Sequence, residues 1–184
     1  MRKLIIQEWI SLDGFATDKN NKLDFFASTV RDIYKDEYYA KCLNNIDCIL
    51  FGSNTYKEFS KVWPERSGDL ISEKINTSEK IIFSKSLTSA PWGKRGSATI
   101  VSTDFQPTIK ELKSVPGKNI IIWGSLSLAK QAMKDQVVDE YHIHICAILN
   151  GGGRRLFSDE NINYLQLIHS KTFDNGVVSL HYQV

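Results

Sequence analysis

Cys48-Ile49-Leu50-Phe51-Gly52-Ser53-Asn54-Thr55 and Ile120-Ile121-Ile122-Trp123-Gly124-Ser125-Leu126-Ser127 share one pattern: four apolar residues, a glycine, then polar residues opening a segment of helical composition. An apolar run with no polar alternation is the mark of a strand buried on both faces. Glycine at its end lets the backbone approach a ligand closely. The helix start that follows offers free N–H groups and the positive end of its dipole to an anion. Each junction alone also has a plain structural reading, because Ser and Asn are ordinary N-caps. Two of them on the carboxyl edge of one sheet suit a diphosphate-bearing dinucleotide, which open α/β sheets bind outside their strand ends. Neither is a G-x-G-x-x-G fingerprint, and Gly117-Lys118-Asn119 does not end a Walker loop, so the Rossmann and P-loop readings lose support.

Around these two junctions, strand-length apolar runs alternate with helix-period segments. Lys3 to Ile10, Asp47 to Gly52, Lys80 to Ser84, Thr99 to Ser102 and Asn119 to Gly124 read as buried strands. Phe25 to Asn44, Ser53 to Val62, Thr108 to Ser114 and Ser125 to Asp135 read as helices, which makes a mainly parallel sheet covered on both faces. After Asp139 the period changes to two, with Tyr141, Ile143, Ile145 and Ala147 alternating with His142, His144 and Cys146. Leu165 to Phe173 and Val177 to Val184 flank Asp174-Asn175-Gly176, and Asn-Gly signals an antiparallel hairpin. Asp13 to Asp24, Trp63 to Gly68, Ser86 to Ser97 and Leu149 to Arg155 are candidate long loops.

A chain of 184 residues suits one domain, residues 1–184, with a full core. Apolar content of 42% and charged content of 24% are those of an ordinary globule, and a net charge of +2 gives no field to recruit polyanions, so nucleic acid is not an expected partner. The opening apolar stretch is interrupted by Gln7 and Glu8, unlike a secretory leader, and no run is long enough to cross a bilayer. Cys42, Cys48 and Cys146 are odd in number and form no Cys-x-x-Cys pair, consistent with reduced core thiols and a cytoplasmic setting.

Taken in order, Ser11-Leu12-Asp13-Gly14-Phe15-Ala16, Leu50-Phe51-Gly52-Ser53-Asn54-Thr55-Tyr56, Ile81-Ile82-Phe83-Ser84-Lys85, Trp123-Gly124-Ser125 and Val138-Asp139-Glu140-Tyr141, leading to Leu149-Asn150-Gly151-Gly152-Gly153-Arg154-Arg155-Leu156-Phe157, span nearly the whole chain. In these stretches it resembles the dihydrofolate reductase superfamily, and within it the reductase domain of the bifunctional riboflavin-biosynthesis deaminase-reductase. The resemblance implies a twisted, mostly parallel sheet with helices on both faces, NADPH as hydride donor, a small-molecule substrate and a homodimer. It implies further that Gly52, Ser53, Asn54 and Thr55 with Gly124, Ser125, Leu126 and Ser127 hold the diphosphate. Ser84 and Lys85 would lie near the adenosine 2′-phosphate, and Ala16 and Thr17 would border the nicotinamide. Relatives commonly have Arg where this chain has Ser53, which removes a guanidinium from the 2′-phosphate and leaves NADPH against NADH open. There is no Leu-Pro-Trp loop after Asp13-Gly14 and no deaminase zinc motif. A reductase like the one acting on the riboflavin-pathway pyrimidine is therefore expected; dihydrofolate reduction, or a dinucleotide-binding module without turnover, are the alternatives.

Hydride transfer asks a protein for orientation, a dry pocket and a proton source. Asp13, where the first strand empties toward the cofactor edge, is the acidic candidate for orienting substrate or relaying a proton; it also reads as an Asp-Gly turn residue. Phe25 and Phe26 are candidate walls of a substrate pocket, and Gly153 and Arg154 a rim that meets a substrate phosphate. Glu140 is a candidate to orient the second phosphate turn. His142 and His144 share a strand face but lack a third ligand at metal-like spacing, so no metal is expected.

Overall fold

The computed structural model describes residues 1–22, 25, 33–157 and 164–184. Among these residues eight strands form one sheet: β1 Leu4–Ser11, β2 Ile46–Gly52, β3 Glu79–Phe83, β4 Thr99–Val101, β5 Asn119–Trp123, β6 Glu140–Cys146, β7 Gln166–Thr172 and β8 Val178–Gln183. Their order across the sheet is β4-β3-β2-β5-β1-β6-β8-β7. β1 to β6 pair in parallel, β8 runs antiparallel to β6, and β7 antiparallel to β8 through the Asn-Gly turn. The parallel sheet with a terminal antiparallel hairpin is the architecture the sequence implies.

Among the described residues, five α-helices cover the faces: α1 Glu37–Asn44, α2 Ser53–Val62, α3 Leu70–Thr77, α4 Phe105–Ser114 and α5 Leu126–Lys134. Strand alternation sorts the core into two. On one face Leu4, Ile6 and Ile10 of β1, Leu50 of β2 and Ile120 and Ile122 of β5 pack against Ile109 of α4 and Leu126, Leu128, Ala129 and Ala132 of α5. On the other, Ile5, Trp9, Ile49, Phe51, Ile121 and Trp123 meet Tyr39 and Leu43 of α1, Tyr56 of α2 and Ile71 and Ile75 of α3. Ile49, Leu50 and Phe51 are consecutive and each wholly buried, which only a central strand permits; each contributes roughly 1.5–3 kcal/mol by burial.

Two helices differ from expectation. The long helix from Phe25 is broken before Glu37: Asp36 is extended (φ −75°, ψ 135°) and its side chain caps α1 by accepting from the Tyr38 and Tyr39 amides. Residues 23, 24 and 26–32, Phe26 among them, lie outside the described residues. The second difference is α3, absent from the sequence reading, with eight residues and few apolar side chains to show a period; Asp69 caps it at Ser72 N. Among the described residues no helix is long and apolar enough to cross a membrane. Of the three cysteines, Cys48 and Cys146 are buried and Cys42 partly so.

The histidines of the sequence, four in number, gather in the β6–β8–β7 corner. His142 stacks on His181 at 3.6 Å between ring centroids and 7° between planes, and His169 stacks on Tyr38 at 3.7 Å. The Gln7 amide donates to His144 Nε2 at 2.9 Å, so His144 carries its proton on Nδ1, 2.7 Å from Ser179 Oγ. Burial holds the imidazoles of His142, His144 (to about 3) and His181 (to about 2) below the ordinary value. Their folded forms stay neutral while the unfolded chain protonates near pH 6.5, so stability is intact above that value and falls as pH drops below it. Urea midpoints measured from pH 7.5 down to 5 are expected to decline, and His181→Phe to flatten the decline by up to about 1.4 kcal/mol per pH unit.

Candidate functional site

The parallel register of β2 and β5, with Leu50 opposite Ile122, sets Gly52 level with Gly124. The two turns then bind each other. Gly52 N–H donates to Ser125 Oγ at 3.0 Å, and Thr55 Oγ1 donates to the Gly124 carbonyl at 3.2 Å. A Cβ on Gly52 would come within 2.7 Å of Ser125 Oγ, and Gly124 has φ +62°, so each glycine has a steric reason. The Trp123–Gly124 peptide is trans.

Aspartate side chains cap α1 and α3, whereas α2, with Gly52 at its N-cap, α4, with Asp104, and α5, with Ser125, have no side-chain cap, and of these α2 and α5 start side by side. The first-turn amides of two neighbouring helices are thus left to another acceptor. Ser53 and Thr55 are half-buried, and Asn54 and Ser127 are exposed. Leu126 turns its side chain into the core, which leaves only its backbone for a ligand.

Beyond β2, toward β3 and β4, lies an open cleft of about 590 Å³. Phe83, Ser84, Lys85, Thr103, Gln106 and Leu128 are among its lining residues. Ser84 and Lys85 therefore stand at the strand end on the far side of β2 from β5, with the Lys85 side chain exposed. On the opposite side β1 empties into the Asp13–Thr17 loop. This loop is tied to residues 148–155 by Ala16 N to Arg154 O (2.8 Å), Arg154 N to Thr17 Oγ1 (2.9 Å) and Leu12 N to Ile148 O (2.9 Å). Ala16 is buried in the core, and the Thr17 hydroxyl is engaged. Arg154 is exposed, and Phe25 packs partly buried against the α1–α3 face.

Asp13 is the knot of these loops. Its carboxylate accepts from Ser11 Oγ (2.6 Å), Asn150 N (3.1 Å) and Gly151 N (2.8 Å), and its carbonyl accepts from Arg155 (2.8 Å). The Ser11 hydroxyl, then the Gly151 and Asn150 amides, hold its pKa down to about 2. It is ionised at neutral pH and ties the two loops together, a structural duty alongside the substrate-orienting or proton-relaying role that the sequence suggests. Glu140 stands at the amino end of β6, paired with Lys3 Nζ at 2.5 Å and His142 Nε2 at 3.0 Å. That is the sheet edge opposite the second phosphate turn, so it does not orient that turn.

Two polar side chains of β1 escaped the sequence reading as site candidates. Gln7 links Tyr34 OH (2.5 Å) to His144 and through it to Ser179, one buried hydrogen-bonded chain under the α1 face. Glu8, on the other face, is 4% exposed. Their interruption of an apolar run was the available signal.

The family model of the RibD C-terminal domain matches residues 2–179. The chain belongs to that family. Among curated proteins, this RibD C-terminal domain is 28% identical over 188 residues to YyaP of Bacillus subtilis (strain 168), an uncharacterized protein, with 98% of this chain and 94% of YyaP covered. Of solved structures, a candidate riboflavin biosynthesis protein from Shewanella sp. PV-4 has a TM-score of 0.80 at 21% identity, covering 98% of both chains. The diaminohydroxyphosphoribosylaminopyrimidine deaminase/5-amino-6-(5-phosphoribosylamino)uracil reductase of Thermotoga maritima has a TM-score of 0.67 at 10% identity, covering 99% of this chain and 56% of that one. These two likenesses bear on fold, and the family match makes the chain a RibD-like reductase domain.

Gly153 holds the loop clasp of this RibD C-terminal domain closed. Its φ is +131°, and a Cβ there would lie 1.9 Å from Thr17 O. Gly153→Ala is expected to lower stability by about 2 kcal/mol or more through strain and clash, read as a drop in Tm.

Proposed function

We propose that this chain is an NADPH-dependent reductase of a small heterocycle, similar in reaction to 5-amino-6-(5-phosphoribosylamino)uracil reductase. One observation carries the reading: two uncapped helix starts, locked side by side through Ser125 and Thr55, with an open cleft on one flank and the clasped β1 loop on the other. The fit to a dinucleotide is good on the structure's own terms. The first turn of α2 and that of α5 leave amides free for a diphosphate, and Gly52 lets the Ser125 hydroxyl lie against its backbone and lock the two starts together.

Gly52, Ser53, Asn54 and Thr55 with Gly124, Ser125, Leu126 and Ser127 would hold the diphosphate. Ser84 and Lys85 would meet the adenosine end and its 2′-phosphate in the cleft, and the Ala16–Thr17 loop would wall the nicotinamide. When bound, NADPH supplies the hydride. The protein's part is to orient ring and substrate and exclude water, with Phe25, Gly153 and Arg154 as substrate contacts. The same reading includes a homodimer, to which exposed Tyr164, Leu167 and Ile168 offer apolar surface.

Quenching of protein fluorescence on titration with NADPH tests the core of this reading, and absence of binding by both NADPH and NADH at high micromolar concentration would overturn it. Lys85→Ala is expected to weaken NADPH roughly tenfold, the worth of one charge-assisted hydrogen bond, and to leave NADH nearly unaffected. Oxidation of NADPH followed by absorbance, with the riboflavin-pathway pyrimidine and dihydrofolate as alternative substrates, identifies the reaction.

A further inference from the structure

Glu8 occupies the middle of β1, and both neighbouring strands are in place around it. It pairs with Ile143 of β6, and because Gln7 stands opposite Trp123 of β5, Glu8 comes level with Gly124, the turn that opens α5. Strand alternation puts its side chain on the face of Leu4, Ile6 and Ile10, where Leu126 of α5, Ile143 of β6, Ala16 and Leu156 also pack. The carboxyl accepts one hydrogen bond, from the Trp9 amide at 3.2 Å. Among the described residues on that face, α5 and β5 present apolar side chains, the loop presents Ala16 and Leu156, and β6 presents the Tyr141 phenol opposite Ile6. No cation among the described residues answers the carboxyl, and its burial raises the pKa to about 8. A core of this kind favours leucine at such a position, and an acid kept there at a cost suggests function.

The direction of the dinucleotide decides what that function is. With the adenosine end in the cleft beyond β2 and the diphosphate at the β2 and β5 turns, the remaining half of the ligand must run the other way, over β5 to β1. The nicotinamide then lies toward the carboxyl end of β1, past Gly124, with which Glu8 is level.

We infer that Glu8 is a binding group for the nicotinamide that distinguishes its two redox states by charge, remaining a neutral acid beside the uncharged dihydronicotinamide and ionising beside the cationic ring of NADP⁺. The inference rests on the proposed function. Binding of NADP⁺ breaks the Glu8 O–H bond and its proton passes to solvent; binding of NADPH releases none. Carboxylate and ring cation then neutralise each other in a medium that tolerates neither alone.

Titration of NADP⁺ into the protein at pH 7 in weak buffer with an indicator dye is expected to release close to one proton per site (about 0.9, for a group moved from pKa 8 to below 6). NADPH is expected to release none. The ratio of the Kd for NADP⁺ to that for NADPH, in which the phosphate titrations common to both cancel, is expected to fall by on the order of tenfold from pH 6.5 to 8. Glu8→Gln, or Glu8→Met if the amide disturbs folding, is expected to abolish the proton release and flatten that ratio. If both nucleotides bind with equal proton release and a pH-independent ratio in the wild-type protein, the inference about Glu8 is wrong while the reductase reading stands. Proton release that persists in the variants overturns it equally. Failure of both nucleotides to bind removes the reductase reading instead.

Discussion

The parallel pairing of β2 with β5 is the contact on which the rest of the molecule is arranged. It brings Gly52 level with Gly124, and the two hydrogen bonds that follow, Gly52 to Ser125 and Thr55 to Gly124, join turns about seventy residues apart in sequence. A hydroxyl at each turn satisfies a backbone group of the other. The helices that leave these turns, α2 and α5, cover opposite faces of the sheet, so both cores converge on one pair of glycines. A one-residue slip between β2 and β5 would turn Leu50 and Phe51 to the wrong faces and separate the turns together, which couples the integrity of the core to that of the candidate site.

Much of this was legible in the sequence. The four-residue apolar runs before Gly52 and Gly124 have one good reading, a strand buried on both sides, and the strands lie within a residue or two of where they were expected. The Asn175-Gly176 turn gave the hairpin for a local reason. What stayed hidden depends on distance or on shortness. Asp13 also ties its loop to Asn150 and Gly151, far along the chain, which no local pattern reveals. Asp36 sits in a helix-like composition, and only its backbone shows that it ends one segment and caps the next. The α3 helix is too short for its apolar period to register. Glu140 was assigned by proximity in sequence to a motif, whereas strand direction carries it to the other edge.

Glu8 and the histidine corner show the same economy on the two faces of β1. Gln7 and Glu8 are adjacent and point opposite ways, one into a chain of hydrogen bonds through Tyr34, His144 and Ser179, the other into hydrocarbon. The first is a polar group with partners, and the second is nearly without them. A central strand that carries one of each has given up core packing at two consecutive positions beside the candidate site, a local departure from pattern of the kind that accompanies function.

The antiparallel pair β8–β7 also has a structural consequence for the parallel part. β8 is the cover of β6, pairing along Glu140 to Ile145 and placing Ser179 and His181 against His144 and His142. A chain cut short before residue 178 would turn β6 into an open edge and wet a row of imidazoles that stay unprotonated only because they are dry. Residues 178–184 are therefore a seal for the strand next to β1, and proteolytic trimming there would loosen the sheet from its far side inward.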